Sequence, residues 1–94
     1  MQKESTRMST KEKLIRRFSG LPKDFTFDEM IRLFGLFGFE VDTKGGTSGS
    51  RLALVNKEKG LLYNMHRPHP GDIIKSYVMK QVLEYMIANG LIEK

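Results

Sequence analysis

The sequence contains no cysteine, only two histidines and no apolar run close to the roughly 20 residues that a membrane-spanning helix needs. Without cysteine, the chain can form neither disulfides nor zinc sites with thiolate ligands. The histidines, His66 and His69, flank Pro68 and have no obvious carboxylate partner, so we expect no metal and no cofactor. The first seven residues lack the apolar core of a secretory signal, and we expect a cytoplasmic protein without membrane contact.

The length of 94 residues is enough for one domain, and the hydrophobic fraction of 39% is typical of a globular protein. Lys and Arg exceed Asp and Glu by enough to give a net charge of +5. A basic balance favours polyanionic partners through long-range attraction and counterion release. Because surface lysines also serve simply as solubilising groups, the charge alone is weak evidence for a nucleic-acid partner.

The N-terminal part of the chain predicts an extension followed by a short helix. Residues 1–8 are polar and without periodicity, which indicates a disordered extension ahead of a single domain at 9–94. Ser9 and Glu12 fit a capping box, in which each satisfies a main-chain donor of the other. The apolar stripe of the helix that follows is Leu14, Ile15 and Phe18.

A second helix start is marked by Thr26 and Glu29, which form another capping box. Phe25 and Met30 are spaced to pack against each other across it, and Gly38 is placed to end the helix in a left-handed conformation. Apolar residues recur at helical spacing between these limits: Met30, Ile31, Leu33, Phe34 and Phe37.

Three short segments then have the pattern of β-strands. They are Phe39–Asp42, Arg51–Val55 and Leu61–Met65, with Asn56–Gly60 as the hairpin loop between the last two. Pro68 and Pro70 end any further pairing.

A final helix is predicted from Asp72 to Asn89, ended by Gly90. Its predicted apolar side consists of Ile74, Val78, Val82 and Tyr85, widened by Leu83, Met86 and Ile87. The resulting order, α-α-β-β-β-α, predicts a two-layer α+β domain whose three-stranded antiparallel sheet has its helices on one face.

Candidate chemistry is concentrated in two loops. The glycine- and hydroxyl-rich segment from Gly45 to Ser50 could present main-chain N–H groups to an anion, although turn formers of this kind more often make a plain hairpin connection. It is not a Walker loop, because no Gly-Lys-Ser/Thr opens a helix. In the second loop, His66 and His69 could each act as a general acid or base or, equally, donate to a main-chain carbonyl of the turn.

Arg51 cannot act as a base, but its guanidinium can hold a phosphate. The residues that could bind a polyanion are Lys44, Ser48, Ser50, Arg51, Arg67 and Lys75, and Lys80 could extend this track. The three tyrosines, Tyr63, Tyr77 and Tyr85, are predicted to be core or half-buried residues rather than stacking platforms.

The segment from about Thr26 to Ile92 resembles the HicA-like (YcfA-type) toxins, small RNA-cleaving partners of bacterial toxin–antitoxin pairs. The resemblance rests on Phe37-Gly38-Phe39 at the end of a helix, the loop from Lys44 to Arg51, and the histidine-containing turn before the last helix. The predicted helix at residues 10–19 is additional to the shortest members of that family.

The resemblance implies a fold similar to double-stranded-RNA-binding domains, binding to mRNA or structured RNA, and neutralisation by a HicB-like antitoxin. In that family the loop typically reads Gly-Ser-His, with the histidine catalytic. The matching residues here are Gly49, Ser50 and Arg51, so an arginine occupies the catalytic position. The second histidine of the family matches His69 by spacing, with His66 as the alternative.

The residues and the resemblance leave two alternative functions, one an enzyme and the other a binding module. One is a metal-independent endoribonuclease, an mRNA interferase, in which His69 or His66 is the base and Arg51 holds the phosphate. The other is a non-catalytic module that binds RNA or the antitoxin, since Arg51 replaces the usual histidine.

Overall fold

The structure, a computed structural model, describes residues 10–42, 51–68 and 71–92. Its elements are α1 (Thr10–Ser19), α2 (Phe27–Leu36), β1 (Glu40–Asp42), β2 (Arg51–Asn56), β3 (Leu61–His66) and α3 (Ser76–Ala88). The predicted order and the α+β fold with a three-stranded antiparallel sheet are confirmed. The predicted extension at 1–8 lies outside the described residues.

The sheet has the strand order β1-β2-β3, and all pairs are antiparallel. Because side chains alternate along a strand, each strand has one set of residues facing the helices and one set facing away. Leu54 and Met65 belong to the first set and are buried. Leu62 belongs to the second set and remains 54% exposed, so the helices cover one face of the sheet. We call the opposite face the outer face.

One hydrophobic core joins the helices to the covered face of the sheet. Its members are Leu14, Phe18, Phe25, Phe27, Met30, Leu33, Phe34, Phe39, Leu54, Met65, Ile74, Met79, Val82 and Met86. Leu14 and Phe18 come from α1, which therefore packs as an integral part of the domain. The predicted contact pair Phe25 and Met30 is fully buried within the same core.

The predicted capping box at the start of α2 is confirmed and is reinforced from α1. The Glu29 N–H donates to Thr26 Oγ1 at 3.1 Å, and the Thr26 N–H donates to Glu29 Oε1 at 2.9 Å. Arg17 donates to both oxygens of Glu29, at 3.0 and 3.1 Å, and to Asp24 Oδ1 at 3.1 Å. The hydrogen bonds from Arg17 lower the pKa of Glu29 from 4.5 to about 2. Burial acts in the opposite direction, and the hydrogen bond from the Thr26 N–H lowers the pKa further.

Gly38, predicted to end its helix in a left-handed conformation, has φ of 89°, and Gly90, predicted to end the final helix, also has a positive φ, of 72°. Beside Gly38, the buried amide of Asn56 donates to the Phe37 carbonyl at 2.8 Å and accepts from the Lys59 N–H at 2.9 Å. This side chain ties the end of α2 to the β2–β3 hairpin. A side chain at position 38 would meet it, since an added Cβ would lie 3.1 Å from its nitrogen.

The final helix begins at Ser76, four residues later than the predicted start at Asp72, so that boundary was wrong. Residues 72–74 are extended instead, because they pair with the chain that enters α2. The Phe27 N–H donates to the Asp72 carbonyl, and the Ile74 N–H donates to the Phe25 carbonyl, each at 2.8 Å. Between these bonds, Thr26 and Ile73 form an antiparallel bridge.

The buried side of α3 also differs from the prediction. It consists of Met79, Val82 and Met86, at spacings of three and four residues, whereas Val78 and Tyr85 are only partly buried. Ile74 is buried, but from the extended segment rather than from the helix. The predicted stripe was misplaced because it counted residues before Ser76 as helical.

We predict that Glu29→Gln lowers the free energy of unfolding at pH 7 by on the order of 1 kcal/mol, a modest value because the ion pair is partly exposed and screened. The folded-state pKa of Glu29 lies below its unfolded value, so its contribution is complete above about 4.5 and is lost as pH falls towards about 2. Urea unfolding at a series of pH values should therefore show that the difference in unfolding free energy between wild type and Glu29→Gln decreases as pH falls over that range. The control is Asp28→Asn, which changes an exposed acid in the same turn. A difference in unfolding free energy between wild type and Glu29→Gln that does not depend on pH would contradict this prediction.

Candidate nucleic-acid interface

Arg51 and His66 are directly opposite each other in the β2–β3 pairing. Both are exposed and both belong to the outer face, since the next pair, Leu52 and Met65, faces the core. Residues opposite each other in an antiparallel pair have Cβ atoms about 4.5–5.5 Å apart. A cation that can hold a phosphate and an imidazole that can exchange a proton are thereby adjacent on one surface.

Arg67, the residue after β3, is placed by an aromatic ring. Its guanidinium carbon lies 4.6 Å from the centroid of the Phe27 ring, which is buried at the start of α2. A guanidinium stacked by its face on a ring keeps its in-plane N–H groups free to donate to an anion. Arg67 was a candidate from the sequence, whereas Phe27 was not, because its only sequence signal is its position in a helix.

Lys75 is the N-terminal cap residue of α3 and is exposed. The adjacent helix terminus carries a positive partial charge, which favours an anion in the same region. Lys80 lies on the first two turns of α3 and is also exposed.

A groove of about 330 Å³ runs between the outer edge of β3 and the first two turns of α3. We call it the edge groove and define it by Asn64, His66 and Arg67 on the strand side and by Lys75, Tyr77 and Gln81 on the helix side. The lining contains three residues of the predicted set, His66, Arg67 and Lys75. Among the lining residues that the structure describes, none is acidic.

The outer face of the sheet has an electrostatic gradient. Glu40 and Asp42 of β1 pair with Val55 and Ala53, so they share the outer face with Arg51. Acidic groups therefore lie on the β1 side, and basic groups lie at the end of β2 and β3. A polyanion is favoured on the β3 side, where the edge groove opens.

Four candidates of the sequence analysis, Lys44, Ser48, Ser50 and His69, lie outside the described residues. Of the others, Arg51 and His66 are brought together across the sheet, and Arg67 and Lys75 flank the groove beside them. Within residues 10–42, 51–68 and 71–92, no group of three or more potential ligands is arranged to hold a metal ion. No helix in those ranges is long and apolar enough to cross a membrane.

The fold and this basic edge define a small α+β domain with an exposed cationic surface at one end of its sheet. Residues 27–86 match the family model described as the HicA toxin of bacterial toxin–antitoxin systems, and the match includes α2, the sheet and most of α3. The chain therefore belongs to the HicA toxin family, as the sequence resemblance indicated, and an antitoxin partner is implied. Neither a curated protein nor a solved structure matches the chain.

We predict that Arg67→Ala lowers the free energy of unfolding by about 0.5–1 kcal/mol, because it removes the guanidinium from the Phe27 ring. Lys80→Ala is the matched control, since it deletes an exposed cation that contacts no aromatic ring within the described part of the chain, and it should change stability by less than about 0.5 kcal/mol. Urea denaturation of the two variants makes the comparison. Equal stability of the two variants would show that the stacking contributes nothing.

Proposed function

We propose that this toxin binds RNA in the cytoplasm through a surface formed by Arg51, His66, Arg67 and Lys75. The observation that carries the proposal is the adjacency of Arg51 and His66 across β2 and β3, with two further cations beside them at the edge groove. Recognition rests on phosphates and 2′-hydroxyls, so it depends on salt and only weakly on sequence. Lys44, Ser48 and Ser50, which precede Arg51 in the sequence, are included in the proposal as further RNA-binding residues.

The proposal includes cleavage of the bound RNA by a histidine. A base must take the proton from a ribose 2′-hydroxyl so that the oxygen can attack the neighbouring phosphorus. A 2′,3′-cyclic phosphate forms, the bond from phosphorus to the 5′-oxygen of the next nucleotide breaks, and that oxygen leaves with a proton. Arg51 holds the phosphate and stabilises the negative charge that develops on it. The family resemblance favours His69 as the base. His66 is the alternative, because it lies opposite Arg51.

The alternative is a module that acts by binding alone. The arginine at the position of the usual catalytic histidine supports it. In this case the basic surface is chiefly the contact for a HicB-like antitoxin, whose acidic groups would increase the association rate. Absence of RNA binding even at low salt would leave antitoxin binding as the function of this surface.

We expect Arg51→Ala to weaken RNA binding by about 1–3 kcal/mol, the scale of a lost charge-assisted hydrogen bond. Lys57→Ala is the matched control: it removes the same charge from an exposed position just beyond the far end of β2, roughly 20 Å away along the strand. Fluorescence anisotropy at several salt concentrations measures both variants. Equal losses would indicate nonspecific attraction by net charge, and affinity that is unchanged by salt would exclude phosphate-based binding.

Cleavage is tested with His66→Ala, His69→Ala and the double variant. Loss of the true base should reduce the cleavage rate by about 10²–10⁴-fold while affinity stays nearly unchanged. Arg51→His, which restores the residue typical of the family, should raise the rate. Full cleavage by the double variant would rule out a histidine base, and absence of cleavage by both wild type and Arg51→His would favour the binding-only module.

A further inference from the structure

The edge groove is bounded on one side by main-chain groups of β3 that the sheet does not use. Within the described residues, β3 pairs only with β2, so its other side is an edge. The Tyr85 hydroxyl donates to the Leu62 carbonyl at 3.2 Å, and burial raises the pKa of Tyr85, which keeps the hydroxyl protonated. The Leu62 carbonyl therefore points to this edge rather than to β2. Since main-chain direction alternates along an antiparallel strand, the N–H and C=O groups of Asn64 and His66 point to the edge as well.

The open part of this edge is short. Tyr85 already occupies the position at Leu62, and Pro68 follows two residues after the strand ends. Only the stretch from Asn64 to His66 is left, whereas an added β-strand usually pairs over five or six residues. The geometry therefore favours a compact ligand with donors and acceptors at its rim over a strand from a partner protein.

Tyr77 provides an aromatic surface at the same place. It is 61% exposed, the highest value among the large hydrophobic residues that the structure describes. The prediction that all three tyrosines are core or half-buried was wrong for Tyr77 alone. Tyr63 and Tyr85 pack against each other with centroids 4.7 Å apart, and both contact the core.

Polar side chains complete the groove. Gln81 lies one helical turn after Tyr77 on the same side of α3, and Asn64 lies opposite on β3. Both amides can donate and accept. The cations Arg67 and Lys75 and the imidazole of His66 lie around the same volume, and the two cations attract a phosphate attached to the ligand.

The volume of about 330 Å³ is at the lower end of the range for small-molecule sites. It suits a single nucleoside and is too small for a stack of base pairs. Proteins that recognise RNA by its bases generally take unpaired bases, which they stack on aromatic side chains and contact along their polar edges.

We infer that the edge groove binds one unpaired base of the RNA, stacked on Tyr77 and hydrogen-bonded to the free edge of β3 and to Asn64 or Gln81. This inference rests on the proposed RNA binding and adds the substrate feature that is recognised, an unpaired nucleotide within or next to a duplex. Arg51 and His66 then lie beside the phosphates that flank this nucleotide.

The test uses three RNAs of the same length: a full duplex, the duplex with one bulged uridine, and the duplex with an abasic ribose at the bulge. All carry 2′-fluoro riboses at and next to the bulge, so that no 2′-hydroxyl there is available for cleavage. Affinities are measured by fluorescence anisotropy at one salt concentration. Wild type should bind the uridine bulge about 5- to 150-fold more tightly than the abasic bulge, the range expected for one base–aromatic stack.

Tyr77→Ala should abolish this preference, and Tyr77→Phe should retain it because the ring face remains. Leu62→Ala is the matched control, since it shortens an exposed apolar side chain of β3 that does not line the groove, and it should keep the preference. Thermal unfolding of each variant checks that the fold is intact.

Equal affinity of wild type for the uridine and abasic bulges would overturn the inference, and continued sensitivity to Arg51→Ala would show that the proposed RNA binding still stands. Absence of binding to all three RNAs would overturn both. A Tyr77→Ala variant that keeps the preference for the bulged base, or that loses affinity for a HicB-like antitoxin but not for RNA, would also overturn the base site.

Discussion

Two main-chain hydrogen bonds determine where the candidate interface lies. They join Phe27 to Asp72 and Phe25 to Ile74, each at 2.8 Å, and they hold the chain entering α2 against the chain entering α3. Because residues 72–74 are extended and used in this pairing, α3 can begin only after residue 74. Lys75 and Tyr77 thereby come to lie beside the edge of β3. Phe27, fixed by the same pairing, provides the ring on which Arg67 stacks.

The interface combines features from both sides of the sheet edge. The outer face contributes the Arg51–His66 pair, and the edge groove contributes an exposed aromatic ring, free main-chain groups and further cations. Charge attracts any RNA, whereas a groove for a single base distinguishes an unpaired nucleotide from a continuous duplex. The hydrogen bonds from Arg17 of α1 to Glu29 fix the start of α2 and thus indirectly support the interface. Helix α1 itself lies outside the region that matches the family model.

Local sequence signals predicted the elements well because those elements depend on local physics. The capping box of Thr26 and Glu29 and the left-handed ends at Gly38 and Gly90 need only neighbouring residues. The family, too, was indicated by the sequence, because its motifs occur along the chain in the order typical of that family. The start of α3 was not predictable in this way, because it depends on pairing with residues almost fifty positions earlier. The adjacency of Arg51 and His66 depends on the hairpin register, which single-strand patterns do not specify.

The most direct test of the account is to map the RNA contact surface by NMR, titrating ¹⁵N-labelled protein with the RNA that carries one bulged uridine. The account predicts the largest amide shift changes from Asn64 to Arg67 and from Ser76 to Gln81, with little change in the hairpin loop at Lys57–Gly60. Changes concentrated in that hairpin loop or along α1, with the edge groove unaffected, would contradict it.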